Sequence, residues 1–341
     1  ELCRRKNVVP PKVERHNHEI AGGYVKAPVV GRHTWIVSFD LNSLYPHLMM
    51  QFNMSPETVS ETRTASVTVD KCLDGVMPTP VLSDHTIAAN GVQFRKESRG
   101  VIPTIIDGLY AERSDVKKEM IGVQKQVEKG VVNKNIADKQ ITKLNTTQMA
   151  IKIMMNSLYG AIANKWFRYY DVRVAEAITL SGQLAIRWAE KTVNTYMNSL
   201  LGTKDQDFVI AIDTDSVYVD FGPMVEQMGL TDKAKTVEVL DQIASKKFEP
   251  ILEQSYSAMA KYMNAYENKM VMSREVIADV GVWTAKKRYI LNVHDNEGVR
   301  YATPKLKIMG IEAVKSSTPA SCRDALKGLF KVMMTTDEKD T

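Results

Sequence analysis

Two short apolar, β-branched runs, 208–212 and 217–221, flank the tetrapeptide Asp213-Thr214-Asp215-Ser216. Strand-forming residues on both sides of a four-residue polar turn predict a β-hairpin with carboxylates at its tip. Far upstream, Trp35-Ile36-Val37-Ser38-Phe39 runs into Asp40, a second apolar strand that ends in a carboxylate. If the two strands lie side by side, Asp40, Asp213 and Asp215 converge. Neighbouring carboxylates repel by roughly 4 kcal/mol per pair at an effective dielectric near 20. Divalent metal held by carboxylate and carbonyl oxygens is the usual compensation, and a pair of such ions is the apparatus of phosphoryl transfer. Each piece alone has a plainer reading. Asp in a turn serves local hydrogen bonds, and Asp40 just before a helix can act as an N-cap.

The 341 residues suffice for two or three units with separate cores. A hydrophobic content of 44% and a charged content of 25% are ordinary for a soluble globular chain. The net charge of +5 leans mildly toward polyanions. Its clustering says more, because Lys286-Lys287-Arg288 form a compact basic run beside Tyr289. Cys3, Cys72 and Cys322 are scattered without a Cys-x-x-Cys pair, which implies no zinc site and suits a reducing interior. No apolar stretch approaches the ~20 residues of a membrane span, and no signal peptide is evident. The start at Glu1 and the polar end at 337–341 read as those of an excerpt from a longer chain.

Residues 1–34 read as an irregular lead-in, 35–52 as strand, turn and helix, and 53–100 as short strands and loops. Pro103 opens a helix to about Lys129, closed by Gly130, and a second helix runs from about Asn135 to Tyr159. The short loop between them predicts an antiparallel helical hairpin. A helix over 171–200, the acidic hairpin and a helix over about 232–264 follow. Strand-like sequence over 269–309 is broken at 294–298, and a last helix starts at Thr318-Pro319. A β-rich unit interrupted by a helical hairpin is the expected organisation. On the second helix of that hairpin, Lys152, Asn156 and Tyr159 share a face; on the first, Arg113 and Lys117 do. Basic side chains on facing helices could grip a triphosphate, Arg as a fork and Lys as a point charge. Taken alone, Arg113 and Lys117 would equally suit a solvated face.

Together these strings carry a resemblance. Ser38-Phe39-Asp40-Leu41-Asn42-Ser43-Leu44-Tyr45-Pro46 resembles motif A of family B DNA polymerases. The segment from Lys152 through Asn156-Ser157-Leu158-Tyr159-Gly160 resembles motif B, and Asp213-Thr214-Asp215-Ser216 resembles motif C. Lys286-Lys287-Arg288-Tyr289 resembles the primer-template-binding motif that follows. The strings 166–171 and 305–310 resemble the replicative polymerases of T4-like phages. The resemblance covers nearly the whole chain, in the family's order.

It implies an α+β fold, a right-hand palm made of an antiparallel sheet backed by helices, with an inserted antiparallel helical fingers hairpin and a truncated thumb. The palm would comprise 12–102 and 164–316, the fingers 103–163 and the start of the thumb 317–341, after a lead-in over 1–11. Asp40 and Asp215 would hold two Mg²⁺ ions, with the Leu41 carbonyl as a further oxygen and Asp213 nearby. Arg113, Lys117 and Lys152 would neutralise the phosphates, and the N–H groups of Ser43 and Leu44 would add donors at a helix start. Tyr45 would exclude a ribose 2′-hydroxyl, although an aromatic there can equally be plain core. Asn156 and Tyr159 would pack on the nascent pair. Lys286, Lys287, Arg288, Tyr289, Asp295 and Glu275 would lie along the primer-template DNA or close to the site.

Ala211-Ile212 stand where the family often has Tyr-Gly, and Ser273 stands where T4-like relatives tend to have Asp. The implied substrates are dNTPs and primer-template DNA. A sliding clamp and a single-strand-binding protein are the implied partners, and the cytoplasm of an infected bacterial host the implied location, with no membrane association. The only Asp-x-Glu string, Asp295-Asn296-Glu297, falls in the turn at 294–298 and not upstream, where the family's exonuclease signature would stand, so proofreading is not expected. Two other readings remain open, a two-metal nuclease or phosphatase and a nucleic-acid-binding piece without turnover. Tyr45 and the basic helices favour the polymerase core.

Overall fold

A computed structural model describes residues 19–64, 66–76 and 83–336. The lead-in over 1–11, Cys3 and the polar end at 337–341 lie outside the described residues. The strands are β1 (Val25–Lys26), β2 (Gly31–Leu41), β3 (Val59–Arg63), β4 (His85–Ile87), β5 (Val92–Arg95), β6 (Val209–Asp213), β7 (Ser216–Asp220), β8 (Met272–Ala285), β9 (Arg288–Asn296) and β10 (Val299–Met309). The helices are α1 (Leu44–Gln51), α2 (Val69–Leu73), α3 (Val101–Glu128), α4 (Lys134–Ile162), α5 (Val172–Leu201), α6 (Gly222–Gln227), α7 (Lys233–Ile243), α8 (Glu249–Tyr262) and α9 (Ala320–Thr335). The fold is α+β. The described residues fall into two compact units, one drawn from 19–24, 41–189 and 253–271, the other from 25–40, 190–252 and 272–336.

The second of these units is built on a seven-stranded sheet in the order β1-β6-β7-β2-β8-β9-β10. The β1–β6, β6–β7, β7–β2, β8–β9 and β9–β10 pairs run antiparallel. Alternation along the strands sends side chains to two faces. On one, Ile36, Ile210, Tyr218, Val276, Trp283, Tyr289 and Leu291 form a buried cluster. Elsewhere Val280 and Ile290 pack with Met334 of α9. Phe39 of β2 stacks on Phe248 at 5.7 Å, and Tyr196 and Phe221 close around the same ring. Helices thus back the sheet.

The expected single helix over 232–264 is broken. α7 begins at an N-cap whose Asp232 carboxylate accepts from the Lys235 N–H, and it ends in a π-turn over Ala244–Phe248 before α8. Pro250 gives the physical reason. It has no N–H to donate back and its ring crowds the preceding turn, so the chain widens just ahead of it. The strand-like stretch over 269–309 holds three strands rather than two, because Lys286-Lys287 make a second turn in which Lys287 takes φ 60°.

In the other unit a three-stranded sheet, β3-β5-β4, accompanies α1 to α4. The short α2, capped by Thr68, whose hydroxyl oxygen accepts from the Lys71 N–H, interrupts what reads in sequence as strands and loops. α3 and α4 pack together as the expected hairpin. Contacts that pair Arg113 with Gln148 and Glu119 with Gln140 run in opposite chain directions, so the two helices are antiparallel. Gly130 at φ 69° stops α3, and Asn133 caps α4 by accepting from the Asn135 N–H.

Candidate active site

In the seven-stranded unit, β6 and β7 meet in a two-residue turn. The Asp215 N–H donates to the Asp213 carbonyl at 2.6 Å around Thr214, whose φ is 60°. That is a γ-turn centred on a β-branched residue, a conformation that costs free energy and persists only where the surroundings impose it. Ser216 pairs with Asp213 across the turn and with Asp40 on β2. Its hydroxyl donates to Asp40 Oδ1 at 2.8 Å. Asp40, Asp213 and Asp215 are therefore brought to one end of the sheet, all half-buried. Asp40 is not the N-cap of α1; that place belongs to Ser43.

The charges around this end are ordered. Asp213 Oδ1 lies 3.1 Å from Lys287 Nζ at the β8–β9 turn and also accepts from the Thr214 hydroxyl. Glu275 pairs with Lys307 at 2.9 Å, and Ser38 sits between Glu275 and the Val276 N–H. Beneath them the Tyr218 and Tyr289 hydroxyls share a hydrogen bond at 2.7 Å. Burial pushes the Tyr289 hydroxyl up to about 12, and the negative charges of Glu275, Asp213 and Asp40 act in the same direction against the Tyr218 bond. One buried phenol thus feels all three carboxylates. Among the described residues no group of three or more His, Cys, Asp or Glu side chains is drawn together tightly enough to hold a metal. The donor chemistry nonetheless fits a hard divalent cation. Carboxylates from adjacent strands offer oxygen ligands, and Mg²⁺ characteristically takes one or two of these together with substrate phosphates.

Lys286, Lys287 and Arg288 are exposed on the β8–β9 turn. Tyr289, grouped with them in sequence, is only 4% exposed and belongs to the core cluster. Asp295 is also enclosed, in ion pairs with Arg274 and with Arg300, the latter at 2.9 Å. Ile212 is buried in β6 opposite Val217 and Lys26. Gly310 explains how the basic turn is seated. Its φ is 66°, and a Cβ there would stand 2.1 Å from the Lys287 carbonyl oxygen. Gly310→Ala is expected to cost about 2 kcal/mol through this overlap, read as a lowered urea midpoint, whereas Gly328→Ala, in open space on α9, should not.

The other unit gathers the remaining residues. Ser43 takes the left-handed conformation, φ 49° and ψ 56°, at the start of α1. Such a position is uncommon for a non-glycine residue. Its carbonyl accepts from the His47 N–H and from His47 Nδ1, and its hydroxyl accepts from Arg113 Nη1 at 3.1 Å. Arg113 Nε in turn donates to Gln148 Oε1 at 3.3 Å. Arg113 and Lys117 are half-buried on α3, while Lys152 and Asn156 are exposed on α4. The ring of Tyr45 lies 4.8 Å from that of Tyr159, and a Cβ on Gly182 would stand 3.0 Å from Tyr45 Cε1. Leu41 and Leu44 are buried. His47, Gln148, Gly182 and Gly310 are absent from the sequence-derived set. Spacing could have found two of them, since His47 is one turn beyond Ser43 and Gln148 one turn before Lys152.

A family model for DNA polymerase family B matches residues 1–339. The DNA-directed DNA polymerase of Escherichia phage RB69 is 36% identical over 98% of this chain and 42% of its own length. That of Enterobacteria phage T4 is 36% identical over 94% of this chain and 41% of its own. A DNA polymerase of Thermococcus gorgonarius is 30% identical over 73% of this chain and 27% of its own. The chain thus spans about two fifths of the phage relatives' length. With its ordered motifs and a match over nearly every residue, the chain belongs to DNA polymerase family B.

Proposed function

We propose that the chain is the polymerising core of a template-directed DNA polymerase, which adds deoxynucleotides to a primer 3′-hydroxyl by two-metal nucleotidyl transfer in phage DNA replication. The observation that carries this reading is the alignment of Asp40 on β2 with Ser216 beside Asp215, in a chain that matches the family from end to end. On this reading 12–102 and 164–316 form the palm, 103–163 the fingers and 317–341 the start of a thumb.

Asp40, Asp215 and the Leu41 carbonyl are the proposed ligands of two Mg²⁺ ions. When bound, these ions supply activation of the primer hydroxyl and charge neutralisation for the departing pyrophosphate. Asp213, already paired with Lys287, tunes the local charge rather than binding metal directly. Glu275, held by Lys307, is an outer carboxylate. Arg113, Lys117 and Lys152 take the triphosphate, and the Ser43 and Leu44 N–H groups donate to it at the start of α1. Asn156 and Tyr159 pack on the nascent pair. Lys286, Lys287 and Arg288 grip duplex phosphates without reading sequence. Tyr289 and Asp295 act from behind, by stiffening β9 under that grip. A sliding clamp and a single-strand-binding protein, in the cytoplasm of an infected bacterium, are the partners proposed for the longer protein. Among the described residues no helix is long and apolar enough to cross a membrane.

A labelled primer-template with Mg²⁺ and four dNTPs tests the proposal. Elongation is expected; degradation without elongation would instead indicate a two-metal nuclease. Tyr45 is proposed to reject ribonucleotides by collision, with its ring braced by Tyr159 and by the absent side chain of Gly182. Tyr45→Ala should raise the ratio of ribonucleotide to deoxyribonucleotide incorporation at least about tenfold. Unchanged discrimination would remove Tyr45 from this role.

A further inference from the structure

Gln148 is one of the few buried polar side chains on α4, 6% exposed between two exposed neighbours, Thr147 and Met149. Both ends of its amide are engaged. Oε1 accepts from Arg113 Nε at 3.3 Å, and Nε2 donates to Asn145 Oδ1 at 2.9 Å. Arg113 continues the chain to the Ser43 hydroxyl at 3.1 Å. A single relay, Asn145–Gln148–Arg113–Ser43, therefore links α4, α3 and the left-handed start of α1. A guanidinium is a planar fork whose value in phosphate recognition depends on the direction of its plane. Arg113 fixes which way round the Gln148 amide faces, because its guanidinium can only donate. That leaves the Gln148 oxygen, not the nitrogen, toward Arg113.

We infer that Gln148 is a positioning residue for triphosphate binding, acting through Arg113 by holding its guanidinium plane. The inference rests on the proposed role of Arg113 and deepens it. Gln148 touches neither the phosphates nor the reacting atoms. Without it the Arg113 side chain regains rotamer freedom that the nucleotide must then freeze out.

A double-mutant cycle on the 341-residue chain tests this. The readout is dNTP affinity on a dideoxy-terminated primer-template, with duplex affinity measured alongside. Gln148→Met, of similar length but without the acceptor, should weaken dNTP binding about tenfold and leave duplex affinity unchanged. In an Arg113→Ala background the same substitution should change dNTP affinity less than about twofold. Asn145→Ala, an exposed position, provides a second variant should Gln148→Met fail to fold, with a smaller loss that Arg113→Ala also abolishes. Equal losses with and without Arg113, or no loss at all, would overturn the inference while leaving the role of Arg113 intact. If Arg113→Ala itself leaves dNTP affinity unchanged, both the role of Arg113 and that of Gln148 fall.

Discussion

Asp215→Ala is expected to lower nucleotide incorporation at least about a thousandfold while DNA affinity stays within about twofold of the parent chain. The separation follows from how the turn is built. The bond that closes it runs from the Asp215 N–H to the Asp213 carbonyl, and the Asp213–Ser216 pair is a backbone pair. Alanine keeps both, so the hairpin should stand. Lys287, on the β8–β9 turn, is paired with Asp213. The exposed basic turn at 286–288 therefore keeps its place and its hold on phosphates. What alanine removes is a carboxylate proposed to hold divalent metal where charge develops during transfer. Asp215→Asn keeps the volume and should lose nearly as much, because the missing quantity is charge. Single-turnover extension and fluorescence anisotropy on the same primer-template measure the two quantities. Residual extension within tenfold of the parent would remove Asp215 from the chemistry; a parallel loss of DNA affinity would make it a structural residue.

The acidic hairpin and the strand ending at Asp40 were legible because each is a local pattern, an apolar run meeting a polar turn. Their alignment was legible only as a condition. Which strand lies beside which is a long-range fact, and the β7–β2 pairing that sets Ser216 against Asp40 is made across more than half the chain. The helical hairpin was legible to within a few residues because Gly130 and the apolar periodicity mark its ends. The β8–β9 turn was not. Lys286-Lys287 carry no turn signature, and the left-handed φ of Lys287 is made possible from outside, by the glycine at 310 that lets its carbonyl approach. Tyr289 was grouped with its basic neighbours by proximity in sequence, yet strand alternation turns it inward to meet Tyr218. Gln148 and His47 escaped for a common reason. Each matters through a partner, Arg113 or Ser43; spacing offers the position, and the fold supplies the contact.

Lowering the pH from 7 to 4.5 is expected to remove about 2 kcal/mol of folding stability, and His47→Gln should remove most of that dependence. His47 is 2% exposed on α1, edge-on to Tyr110 with ring centroids 4.3 Å apart. Burial holds its imidazole down at about 4. The bond to the Ser43 carbonyl and the charge of Asp107 oppose that shift, and the charges of Lys269 and Arg113 reinforce it. The folded ring is therefore neutral where an unfolded one, near 6.5, already takes a proton. Between those two values the unfolded chain binds more protons, so stability is complete above about pH 6.5 and is lost as pH falls toward 4. Protonation would leave the Nδ1 donor to Ser43 in place; its cost lies first in burying the charge, with repulsion from Lys269 and Arg113 added to it. Asp279 titrates in a lower window. Burial raises its carboxyl, but bonds from Lys233 and Asn292, with His294 Nε2 3.3 Å away, hold it at about 2, so its contribution is lost only below the ordinary carboxylate range. Urea midpoints for the parent and His47→Gln at pH 7, 5.5 and 4.5 separate the two groups. The parent should fall steeply over this range and the variant should stay nearly flat. Parallel curves would mean that a group other than His47 governs the acid limit of the unit that carries Ser43.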